Sequence, residues 1–97
     1  MWSGNWGFDM YTLRILESAA RDLANLDKPV ARRIVLRLNW MVENFDGIRH
    51  IPLSGELSEF YKFRVGDHRI LYQILDNEKI ILIHAVGHRR DVYRGRK

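Results

Sequence analysis

The sequence predicts an α+β domain: an N-terminal strand, a helical hairpin, then a three-stranded antiparallel meander, all strands in one sheet with the helices packed on one face. Three observations carry this. The apolar period changes from two to about 3.6 and back to two along the chain. Two short turn signals, Gly66-Asp67 and Asp76–Lys79, divide the last third into strands. Finally, 97 residues that are 46% hydrophobic suffice for one modest core.

The first strand spans Tyr11 to Ile15, where Tyr11, Leu13 and Ile15 alternate with Thr12 and Arg14. Leu16, Ala19, Ala20, Leu23 and Leu26 then recur at helical spacing, with Glu17, Arg21 and Asp22 facing away. Asp27 offers a cap, and Pro29 suits a first helical turn. The second helix runs from about Lys28 to Asn44 with a buried stripe of Val30, Ile34, Leu38, Met41, Val42 and Phe45. Leu36 and Trp40 read as the flank of a wide core stripe rather than as a partner patch. Phe45-Asp46-Gly47 closes the helix. Residues 48–60 form a connection containing Pro52 and Gly55. Residues 1–9, with Trp2, Trp6 and Phe8, read as an N-terminal extension to a domain of residues 10–97.

Glycine in the first central position of Gly66-Asp67 suits a two-residue hairpin turn. That register pairs Val65 with His68, Arg64 with Arg69, Phe63 with Ile70, Lys62 with Leu71 and Tyr61 with Tyr72. Directly paired residues share a face. Tyr61, Phe63, Ile70, Tyr72 and Ile74 then point to the core, and Lys62, Arg64, Arg69, Leu71 and Gln73 to the other side. Arg64 opposite Arg69 costs a sheet roughly 0.2–1 kcal/mol, which makes an anion site the expectation. In the third strand, Leu75 opposite Ile80 implies Tyr72 opposite Ile83 and Arg69 opposite Val86. Ile81, Ile83 and Ala85 then join the core. Leu82, His84 and Val86 share the cationic face, with His88 near Arg69.

Charge follows the same division. Residues 1–60 hold seven Lys/Arg and eight Asp/Glu, a net −1, and residues 61–97 hold nine and four, a net +5. A basic half points to a polyanionic partner. There is no cysteine, so thiolate chemistry and disulfides are excluded. No apolar run reaches the ~18 residues of a membrane span. Residues 1–9 lack a signal peptide's basic start and apolar segment. A cytoplasmic protein without membrane contact is the expectation.

No P-loop, nucleophile elbow or dinucleotide fingerprint is present. His84 and His88 lie in a strand with no supporting acidic ligand, so neither a metal nor a cofactor is expected. Clustered cations with one histidine and one tyrosine suit metal-free phosphodiester cleavage, in which the ribose 2′-hydroxyl attacks the adjacent phosphorus. Preorganised cations stabilise the charge that develops there.

The segments YKFRVGDHRILYQI and IILIHAVGHRRDVY, with the upstream LSGEL, resemble the RelE/ParE superfamily of bacterial and archaeal toxins over roughly Tyr11 to Tyr93. The resemblance implies a RelE-like fold, a small RelB-like antitoxin that wraps around the toxin, and one of two activities. The RelE branch implies an endoribonuclease that cuts mRNA in the decoding site of the ribosome and so inhibits translation. The ParE branch implies a poison of DNA gyrase without RNase activity. By position, Lys62, Arg64 and Arg69 correspond to the basic residues around the scissile phosphate. Arg89 corresponds to the arginine that serves the leaving 5′-oxygen, and Tyr93 to the tyrosine that positions the nucleotide. Arg90, Arg94, Arg96 and Lys97 add a basic tail for RNA binding.

Two departures bear on mechanism. RelE has a lysine where this chain has Arg64, and arginine is a poor proton acceptor. His88 also replaces a lysine, and histidine titrates near neutrality, so the general acid or base role is assigned to His88.

Overall fold

The computed structural model describes residues 11–55 and 59–88. The proposed extension, Arg89, Tyr93 and the tail residues Arg90, Arg94, Arg96 and Lys97 lie outside the described residues. Strand β1 (Thr12–Ile15) leads into helices α1 (Glu17–Ala24) and α2 (Lys28–Glu43). A short 3-10 turn, Phe45–Gly47, follows. Then come β2 (Ile51–Pro52), β3 (Tyr61–Val65), β4 (His68–Leu75) and β5 (Ile80–His88). They form one five-stranded sheet in the order β1-β5-β4-β3-β2. The α+β architecture is as the sequence predicts. The added strand β2 is only two residues long, too short to show a period.

The stripe of α2 enters the core as its spacing requires. Ile34, Leu38 and Met41 are fully buried, and Val30, Val42 and Phe45 pack beside them. They meet Ile70, Tyr72, Ile81 and Ile83 from the sheet, with Ala19 of α1. Leu36 and Trp40 depart from the core reading. They are 63% and 40% exposed, and the Arg37 guanidinium lies 4.3 Å from the Trp40 ring. Ala20 is also exposed, so the buried face of α1 is narrower than its apolar spacing suggests. Asp27 stands at the N-terminus of α2 but makes no side-chain capping bond.

The β3–β4 hairpin has the predicted register, pair for pair, from Tyr61↔Tyr72 to Val65↔His68. Gly66 adopts φ +60°, the backbone region that favours glycine.

The β4–β5 pairing starts as expected, with Leu75↔Ile80 and Tyr72↔Ile83, and then shifts. Leu71 pairs with Ala85, Ile70 with Val86, Arg69 with Gly87 and His68 with His88. β5 therefore carries one extra residue, His84, in a β-bulge. A slip of one residue moves every later side chain to the other face. Val86 accordingly joins the main core, and Ala85 packs with Leu71 under Leu53 on the opposite face.

The edge of β5 beyond β1 is closed by α1. The Leu16 amide donates to the Ile83 carbonyl, Ser18 Oγ to the His84 carbonyl, and the Val86 amide to Asp22 Oδ2 at 3.0 Å. Three side-chain and backbone groups of α1 thus replace the strand that β1 no longer supplies.

Candidate phosphate-binding site

β2 pairs with β3 only at Ile51↔Lys62 and Pro52↔Tyr61, so the outer edge of β3 from Phe63 onward has no neighbouring strand. A cleft of about 360 Å³ opens there. One wall is the β3–β4 hairpin, with Lys62, Arg64 and Arg69; the other is the segment before β2, with Arg49. The three cations expected to converge do so. Arg49 was not foreseen, since it sits in an irregular segment where no periodicity assigns a face.

These cations are poorly matched by the protein itself. Among the described residues the sole ion pair is Glu17–Arg21 on α1, at 4.0 Å. Arg64 Nε donates to the Gly66 carbonyl at 3.3 Å, which orients the side chain without neutralising it. Arg69 Nη1 is buried and has no hydrogen-bond partner. Leaving a charged donor buried and unbonded costs on the order of 1–3 kcal/mol. An anion in the cleft would satisfy it.

Arg49 owes its position to the next residue. His50 Nε2 lies 3.0 Å from the Phe45 carbonyl, which can only accept, so that nitrogen carries the proton. His50 Nδ1 then accepts from the Tyr72 hydroxyl at 2.7 Å. The ring also sits 4.2 Å from Phe45, which stacks on Tyr11 at 4.0 Å. Burial, and secondarily the nearby Tyr61 hydroxyl, hold the Tyr72 phenol well above its usual ionisation range. Tyr72 therefore stays a hydrogen-bond donor.

His88 departs from its expected position beside Arg69. The bulge at His84 places Gly87 opposite Arg69 and turns His88 toward His68, the two rings 6.1 Å apart and edge to face. It shares the face of Ile70 and Val86, not that of the cations.

His84 stays on the cationic side, its Nε2 2.7 Å from Gln73 Oε1 and its ring 4.8 Å from Phe60. Gln73 in turn donates to Glu59. Leu53, over Leu71 and Ala85, lies on the same face.

No helix among the described residues is long and apolar enough to cross a membrane.

Comparison with known proteins is consistent with this geometry. The family model described as ParE toxin of type II toxin-antitoxin system, parDE, matches residues 13–93. The chain is 32% identical over 84 residues to Toxin RelG of Mycobacterium tuberculosis, covering 87% of this chain and 97% of the relative. It is 32% identical over 90 residues to a putative RelE-like toxin protein of Escherichia coli, covering 86% and 90%. Among solved structures, the toxin–antitoxin complex RelBE2 of Mycobacterium tuberculosis matches with TM-score 0.73 and 30% identity, covering 82% of this chain and 99% of that one. A mutant of Escherichia coli toxin RelE in the free state matches in fold, with TM-score 0.71 and 24% identity over 88% of this chain and 92% of its own. The chain belongs to the RelE/ParE family of type II toxin–antitoxin toxins.

Proposed function

We infer that this toxin is a metal-independent endoribonuclease that cleaves mRNA, on the ribosome, and that a RelB-like antitoxin neutralises it. The observation that carries the reading is the cleft in which Lys62, Arg64 and Arg69 converge without a carboxylate, one guanidinium nitrogen being buried and unbonded. In this reaction the ribose 2′-oxygen bonds to phosphorus, the bond from phosphorus to the 5′-oxygen breaks, and a 2′,3′-cyclic phosphate remains. The proton of the 2′-hydroxyl leaves to a base, and the departing 5′-oxygen receives one. Lys62, Arg64 and Arg69 hold the phosphate and its developing charge.

Arg89 serves the leaving oxygen and Tyr93 positions the nucleotide, with Arg90, Arg94, Arg96 and Lys97 along the RNA. These roles rest on likeness to the family. Proton transfer by His88 requires its ring to leave His68 and turn around the end of β5. The antitoxin assignment is supported by the titles of complexes such as RelBE2, in which a related toxin is bound to its antitoxin.

The test is a message held on ribosomes and incubated with wild type, Arg69→Ala and His88→Ala. Wild type should leave cyclic-phosphate ends, and Arg69→Ala should reduce the rate by about 10²–10³. An unchanged rate in His88→Ala removes histidine from the chemistry. The match to the ParE family supports a second reading, a toxin acting on DNA gyrase. No cleavage by wild type, together with gyrase-dependent DNA breaks, would establish that one.

A further inference from the structure

The cleft is not walled by cations alone. Ile48, Ile51 and Phe63 also line it, and Ile51 is 47% exposed. A bare phosphate uses cations and N–H donors and gains nothing from aliphatic surface. An exposed branched side chain beside a phenyl ring, next to four positive charges, suits an anion that carries a flat apolar ring. The size agrees, since about 360 Å³ falls within the range of small-molecule sites, about 300–1,000 Å³.

The apolar wall is also built before any ligand arrives. His50 stands between Arg49 and Ile51 in sequence, and both its ring nitrogens are bonded inward, to the Phe45 carbonyl and the Tyr72 hydroxyl. Ile48 is itself packed against the main core. Ordering of this wall is settled during folding and is not charged against binding.

We propose that the cleft is a nucleotide site. The phosphate lies between Arg49 and the hairpin cations, and the attached base lies on Ile48, Ile51 and Phe63. This rests on the RNA reading for the phosphate and adds that the protein itself holds a base.

The test is a titration of the isotope-labelled full chain, followed by nuclear magnetic resonance, with inorganic phosphate, ribose 5-phosphate and uridine 5′-monophosphate. The nucleotide should bind about tenfold more tightly than phosphate, the gain from covering a modest apolar area. Ribose 5-phosphate, which lacks only the base, should bind like phosphate, a comparison that needs no variant. Ile51→Ser should erase the nucleotide's advantage while leaving phosphate affinity unchanged, and Arg49→Ala should weaken both anions. Equal affinity for all three ligands, or an advantage that survives Ile51→Ser, would overturn the base wall and leave the phosphate site standing. Binding indifferent to Arg69→Ala, or no binding at all, would overturn the phosphate site as well.

Discussion

The two sides of the β3–β4 hairpin differ in how completely their polar groups are matched. On the helix-covered side, Tyr72 and His50 satisfy each other and the Phe45 carbonyl, inside a core where Ile34, Leu38 and Ile70 are fully buried. On the other side, Arg64 faces Arg69 across the ladder, and Arg69 keeps a buried nitrogen unbonded. One strand pair thus serves two ends. The matched side stabilises the fold, and the unmatched side holds binding energy in reserve for an anion.

The comparison breaks most sharply by substitution in the core. Leu38→Ala should destabilise the domain by about 2–5 kcal/mol, the cost of a cavity that its neighbours only partly refill, measured by urea denaturation. If that change cost no more than a surface substitution, the matched side would not carry the fold.

The next effect is smaller and depends on pH. Tyr72→Phe removes the donor to His50 Nδ1 and should cost about 1–2 kcal/mol at neutral pH. The Tyr72 phenol is raised above its unfolded value of 10.0 by burial, so the folded state keeps its proton longer than the unfolded state. Stability from this group is fully present below pH 10 and falls as pH rises beyond it, by up to about 1.4 kcal/mol per unit. Denaturation curves at alkaline pH should show that slope in wild type and lose Tyr72's share of it in Tyr72→Phe.

The smallest effect has the opposite sign. Arg64→Gln relieves the repulsion with Arg69 and should stabilise the fold by roughly 0.2–1 kcal/mol while weakening anion binding. A loss of stability there would mean that the two guanidiniums do not oppose each other energetically.

What was legible in the sequence depended on local signals. Gly66-Asp67 sets the hairpin register, so the convergence of Lys62, Arg64 and Arg69 followed from one turn. The spacing of Ile34, Leu38 and Met41 likewise identified the buried side of α2. The bulge at His84 had no such signal, because IILIHAVGH reads as an ordinary alternating strand. Only its consequence betrays it: Ala85 and Val86, both small and apolar, are each buried, on opposite faces. Misplacing that one residue carried His88 to the wrong side. Arg49 escaped because its position depends on His50 reaching Tyr72 across 22 residues, a tertiary contact with no local pattern.

The most direct measurement is the salt dependence of binding to a non-cleavable RNA, its reactive ribose 2′-deoxy, for wild type and for the triple variant Lys62→Ala, Arg64→Ala, Arg69→Ala. Each lost phosphate contact on a single strand reduces the slope of log affinity against log salt by about 0.7, so the triple variant should lose about 2. A triple variant that folds with the wild-type slope and affinity would contradict the cationic cleft as the phosphate site.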